Sequence, residues 1–168
     1  MQSYKDDDVN GWVLGDLALA GYTCILFMLR KASFPGSNDH RPLLSDDDDM
    51  IPRSELSMRT SRRVLNVIYH MIYVMKLPRP EAISLIFGYY RAYIAHAHLA
   101  SGLTRDPAAP TAEEDISLLQ NIVECVDGLV GDGPEYLPLA RAFRVVNDEV
   151  RDRVQEVAAM VGQEVRAS

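Results

Sequence analysis

Residues 143–165 read FRVVNDEVRDRVQEVAAMVGQEV, and their spacing decides the fold. From Phe143 the apolar positions fall at Val146, Val150, Val154, Val157, Val161 and Val165, in steps of three and four. Such steps line up one face of an α-helix, whereas a strand would need a period of two. Their order fits an eleven-residue repeat better than a strict heptad. Arg144, Asp148, Glu149, Arg151, Asp152 and Glu156 fill the flanks. The pattern predicts a helix over residues 136–166, about 45 Å long at the helical rise per residue. That exceeds the width of a core in a domain of this size, so part of the helix is expected to project. A narrow valine stripe on a projecting, charged helix calls for a partner helix. The seven residues of the stripe are therefore the expected partner or oligomer interface. The alternative is that they pack on the chain's own bundle.

Working back from that helix, Gly131-Asp132-Gly133-Pro134 reads as a turn. Before it, Ile116, Leu118, Leu119, Ile122, Val123, Val126 and Leu129 share a helical face. Thr111 with Glu114 three positions later has the pattern of a capping box. An aromatic-rich helix is expected from Pro80, which suits a first helical position, to Ala100, where Ser101-Gly102 should stop it. Another runs from Ser54 to Leu77, with Val64, Leu65, Ile68, Met71, Ile72 and Met75 as its core face. No stretch alternates cleanly with period two. The fold class that follows is all-α: a single-domain bundle of about five helices spanning residues 1–168, with residues 1–9 frayed.

Between the first two helices, residues 33–53 contain PGSNDHRPLLSDDDDMIP. Four successive aspartates repel one another and resist burial, so an acidic, flexible loop is expected there. Overall composition is that of a globular protein, 48% hydrophobic and 24% charged, with a formal charge of −7 and a pI near 5.0. This balance argues against non-specific nucleic-acid binding by the whole surface. The charge is uneven. Residues 1–50 hold nine aspartates against four basic residues, whereas residues 53–91 hold seven basic residues against Glu55 and Glu81. Such asymmetry allows attraction within the fold or between copies, or else two separate solvated faces.

Residues 11–29, GWVLGDLALAGYTCILFML, approach the length of a membrane span. Acidic residues precede the run and Arg30-Lys31 follow it, opposite to the start of a secretory signal. Asp16 inside the run is costly in a bilayer. A core helix buried on nearly all sides explains the run without that cost, with a membrane-associated helix as the alternative. Cys24 and Cys125 form no disulfide framework or zinc pattern. With no secretory signal, the expected location is cytoplasmic or otherwise intracellular.

No phosphate loop, nucleophile elbow or HExxH pair occurs. His96 and His98 are two positions apart, so on a helix they cannot share a metal ion. A pocket from His70, Tyr73, Tyr89, Tyr93 and His96 requires the second and third helices to pack antiparallel, and core or rim roles suit these residues better. Arg59, Arg62 and Arg63 share one helix face and form the candidate surface for an anionic partner, phosphate or carboxylate. Intramolecular pairing of that face is the competing reading. The sequence therefore points to a non-enzymatic interaction or assembly protein, without cofactor or metal, that self-associates or docks a partner through helical surfaces. Nucleic-acid binding through the arginine face and membrane association through residues 11–29 are the alternatives.

Overall fold

The computed structural model describes residues 6–32, 55–87, 91–130 and 137–167, with side chains placed for residues 10–28, 55–87, 91–130 and 138–160. Six α-helices follow one another: α1 (Asp6–Ala32), α2 (Glu55–Tyr69), α3 (Arg79–Phe87), α4 (Arg91–Arg105), α5 (Ala112–Val130) and α6 (Leu137–Ala167). A π-helical turn, His70–Val74, prolongs α2. There is no strand among the described residues, and the chain is all-α as its periodicity requires. The expected acidic loop and the Gly131–Pro134 turn lie outside those residues. The helix expected over Pro80–Ala100 is two elements, α3 and α4, so the bundle has six helices where about five were expected.

The core is organised around α2. Val64, Leu65 and Ile68 are fully buried, and the helix packs on α1, α4 and α5. Its polar first half is buried as well: Ser57, Thr60 and Ser61 have almost no exposed surface. The Thr60 hydroxyl satisfies itself by donating to the Leu56 carbonyl at 2.7 Å. Short side chains on this face let α4 come close, and α4 answers with Ala92, Ala95 and Ala100, all buried. α4 continues to Arg105 instead of stopping at Ala100, running through Gly102. A Cβ there would run into the Cε and Sδ of Met58, so this glycine is a seat for an α2 side chain and not a helix terminator. Met58 near the start of α2 meeting Gly102 near the end of α4 also shows that the two helices are antiparallel.

The predicted face of α5 is buried from Leu118 to Leu129, with Ile116 half-buried. Arg79 of α3 clamps the far end of this helix, donating from Nε and Nη2 to the Leu129 carbonyl at 3.1 and 2.8 Å. A cation suits that position because the helix terminus carries partial negative charge. On α6 the buried ladder is Ala140, Phe143, Asn147, Val150 and Val154, continued by half-buried Val157. Its steps are three and four in strict alternation, so the eleven-residue reading gives way to a heptad. The hydrophobicity of Val146 concealed the change. The actual core position is Asn147, whose amide nitrogen donates to Gln120 Oε1 of α5 at 2.8 Å, while its Oδ1 is buried with no hydrogen-bond partner among the described residues.

After the π-helical turn the chain reverses at Lys76, which has φ 52°. The Leu77 amide donates to the Met71 carbonyl at 3.0 Å and closes the helix end around it. A left-handed lysine costs about 1–2 kcal/mol, partly offset in a glycine replacement by the larger entropy of the unfolded chain. Lys76→Gly should therefore raise unfolding stability by roughly 0.5–1 kcal/mol in a urea titration. An unchanged or lower stability would mean that the lysine side chain supplies contacts worth as much as the strain.

Candidate functional site

The first helix is not buried on nearly all sides. Of the apolar window Asn10–Met28 only 11% is buried, with Leu19 and Leu26 the fully enclosed side chains. The helix lies along α2 and the π-helical turn with two distinct faces. Its inner face follows Trp12, Gly15, Leu19, Tyr22 and Leu26. Gly11 and Gly15 seat Met75 and Met71, and a Cβ at Gly15 would lie 2.6 Å from the Met71 Sδ. Further along, the Arg63 guanidinium carbon sits 5.8 Å from the Tyr22 ring centre. These three pairings run in opposite chain directions, so α1 and α2 are antiparallel.

The outer face of α1 has no covering element among the described residues. Val13, Leu14, Leu17, Phe27 and Met28 are each more than half exposed. Val74 of the π-helical turn is exposed beside Leu14, and Tyr73 on the same turn is exposed as well. Leu14, Val74, Val67 and Tyr69 line a shallow groove of about 720 Å³ between the two elements. One ion pair crosses at the margin of α1, Asp16 Oδ1 to Arg91 Nη1 of α4 at 2.7 Å. Single apolar residues scattered over a surface are ordinary, whereas these five share one face of one helix.

The valine stripe behaves differently. Phe143, Val150 and Val154 are buried against the chain's own α4 and α5, and Val146 and Val157 are half-buried. The side chains of Val161 and Val165 lie outside the described residues. Where the sequence expected an oligomer interface, the described part of α6 finds its partner helices inside the same chain. Ala158, Ala159 and Met160, just beyond, are exposed.

The arginine face is divided. Arg62 turns inward and forms a bidentate pair with Asp115 of α5, Nε to Oδ1 at 2.6 Å and Nη2 to Oδ2 at 2.8 Å. The Thr111 hydroxyl completes the cluster, accepting from Arg62 at 2.9 Å and donating to Asp115 at 3.1 Å. The Asp115 hydrogen bond raises the Arg62 pKa further above its usual value, against the opposing effect of burial. Thr111 thus serves the α2–α5 tie, and the acid that engages it is Asp115, one residue beyond the Glu114 expected from the capping-box pattern. Arg59 and Arg63 remain exposed, Arg63 over Tyr22. A cleft of about 440 Å³ adjoins the Arg62 cluster, lined also by Glu55, His98 and Arg105.

The tyrosine and histidine residues do not converge on one pocket. His70 and Tyr73 sit on the π-helical turn at the α1 side, with the Tyr73 ring stacked on Tyr69 at 5.3 Å. Tyr93 and His96 face α6 instead, packing edge-on against Phe143 at 5.9 and 4.8 Å. Tyr89 lies outside the described residues. Burial lowers the His96 pKa from 6.5 to about 4, and its Nε2 has no hydrogen-bond partner among the described residues. Cys125 is buried, with its thiol pushed up to about 11 by burial and then by Glu124. Cys24 is exposed on α1. Among the described residues no group of three or more His, Cys, Asp or Glu is placed to hold a metal ion. Comparison with protein-family models, curated proteins and solved structures finds no match for this chain.

Two measurements follow. Removing one partner of a hydrogen-bonded pair strands the other, so Asp115→Ala should cost about 2–4 kcal/mol in chemical denaturation. A loss below ~1 kcal/mol, the scale of an exposed pair, would show that solvent replaces the carboxylate at Arg62. The second concerns acid. His96 is neutral in the folded chain down to about pH 4, whereas in the unfolded chain it takes up a proton near pH 6.5. Stability is therefore lost as pH falls from 6.5 towards 4, by about 2 kcal/mol at pH 5. His96→Phe should flatten that part of the stability–pH curve, and an unaltered slope would assign the loss to other groups.

Proposed function

We propose that the chain is an interaction and assembly module that docks a protein partner through the outer face of α1. The observation that carries this reading is the row Val13, Leu14, Leu17, Phe27 and Met28, exposed on a helix whose opposite face is already packed. A helix that is apolar all round needs cover on both sides, and the described residues supply it on one. Each large side chain taken out of water is worth on the order of 1.5–3 kcal/mol when fully buried. Five of them with Val74 make an adequate centre for a protein interface, which characteristically has an apolar core and a charged rim. The exposed Arg59 and Arg63 supply rim charge near one end.

A second reading, attachment to a lipid surface, is favoured by one observation: Asn10–Met28 is long and apolar enough to cross a bilayer. Crossing would strip Leu19 and Leu26 from α2 and separate Asp16 from Arg91, so lying along the surface is the version compatible with this fold. The arginine face gives weaker support to a nucleic-acid partner, because Arg62 is already committed to Asp115.

The reading requires the outer face to be spare in the isolated fold. At concentrations where the chain is monomeric, Leu14→Lys with Leu17→Lys should leave unfolding stability within about 1 kcal/mol, as for exposed sites generally, and should lower the binding of an apolar dye such as ANS. A large loss of stability in this double variant would show the row to be core and overturn the proposal.

A further inference from the structure

We infer that α6 is a detachable arm, seated on α4 over a buried histidine and released in mild acid. The device is separate from the α1 face and does not depend on what that face binds. The helix is peripheral. It packs on α4 and α5, whereas α2 packs on α1, α4 and α5 at the centre of the bundle. The buried apolar side chains of α6 are Ala140, Phe143, Val150 and Val154. Among the described residues every other one belongs to an earlier element, so the larger part of the core lies within α1–α5.

The join between α6 and its neighbours carries two polar defects. His96 of α4 is 1% exposed, with its ring edge-on to Phe143 of α6 at 4.8 Å. Its Nε2 has no hydrogen-bond partner among the described residues. Asn147 lies one turn beyond Phe143 on the same face of α6, and its buried Oδ1 has none either. Both atoms gain water as a partner when α6 moves away, which offsets part of the apolar gain that seats the helix. A segment held in this way opens in a smaller step than the whole fold.

Acid acts on one of the two defects. Burial is the sole cause that holds the His96 imidazole neutral down to about pH 4, with no charged group opposite it on any packed element. The ionic groups around the join are engaged elsewhere. Arg144 of α6 holds Asp127 of α5, and Asp148 holds Arg151 within α6. Glu124 of α5 accepts from Gln120, and Asp115 is held by Arg62 of α2. Asp16 of α1 is paired with Arg91 of α4, and Arg79 of α3 donates to Leu129. The titratable neighbour on α4, Tyr93, packs on the same Phe143 ring at 5.9 Å. With α6 displaced, the His96 ring meets water and takes up a proton near pH 6.5. The released form binds a proton that the closed form refuses, so falling pH draws the population towards release. Between pH 7 and pH 5 this raises the opening constant about 25-fold. Release uncovers Phe143, Val150 and Val154 together with the α4 and α5 surface beneath them.

Hydrogen exchange of the full chain tests the device, with rates referred to those of unstructured peptide at each pH. Amides of residues 143–154 should be less protected than those of residues 64–68 at both pH 7 and pH 5. Their protection should fall about 25-fold from the higher pH to the lower, and less than about threefold in His96→Phe. His96→Leu repeats the test without a ring. Equal protection of the two segments would make the opening global and overturn the inference. A fall in α6 protection that survives both substitutions would overturn it too. Proton NMR of the unsubstituted chain needs no variant. A His96 midpoint of about 6.5 while α6 is still protected would show the ring to be open to water, and the inference falls.

Discussion

The arrangement of this bundle depends on how closely α2 can approach α4. Ser57 and Ser61 on one helix and Ala92, Ala95 and Gly102 on the other replace bulk at the centre with short side chains. Backbones that come this near bury surface without much loss of side-chain freedom, since small residues have little to lose. The arrangement carries a polar cost. The Ser61 hydroxyl is buried with no hydrogen-bond partner among the described residues, a penalty of order 1–3 kcal/mol. A valine there would avoid the penalty but wedge the helices apart, and everything that rides on α2 would move. Arg62, the next residue, reaches Asp115 and so fixes α5. Met58, three positions before Ser61, is seated at Gly102. Met71 and Met75, reached through the π-helical turn, are seated at Gly15 and Gly11 and so fix α1. One helix thus sets the position of three others.

The helical class and most of the elements were legible because period decides them. The α5 face is buried as its spacing predicted, and α6 begins and ends within a residue of the expected bounds. Phase was harder. Val146 and Asn147 are adjacent, and hydrophobicity favours the valine for the core, yet the heptad through Phe143 and Val150 selects the asparagine. Gln120 on the neighbouring helix accepts from the Asn147 amide nitrogen and offsets part of the cost of that burial, and a single sequence does not show which residues are neighbours. Gly102 was misleading for a similar reason. A glycine near a helix end usually supplies a terminating backbone conformation, but here it supplies room for Met58. Arg62 was recognisable as part of a cationic face, while its partner Asp115 lies 53 positions away.

The candidate surface was harder still to read, because α1 and α6 present opposite disguises. A charged helix with one narrow stripe resembles an exposed helix seeking a partner, and that is how α6 reads. Its stripe is narrow because α4 and α5 are close and the helix needs no wider contact. An apolar helix with few charges resembles the centre of a core, and that is how α1 reads. Its apolarity is the sum of two stripes about half a turn apart, one through Leu19 and Leu26 and the other through Leu14, Leu17, Cys24 and Met28. Counting apolar residues merges them, whereas tracing each by steps of three and four resolves them. The inner stripe holds methionines seated at glycines, a close fit between chosen partners. The outer one has large side chains around an open glycine. Among the described residues the second stripe has no element to pack on, so its exposure follows from a difference of phase that a sum over the helix cannot show.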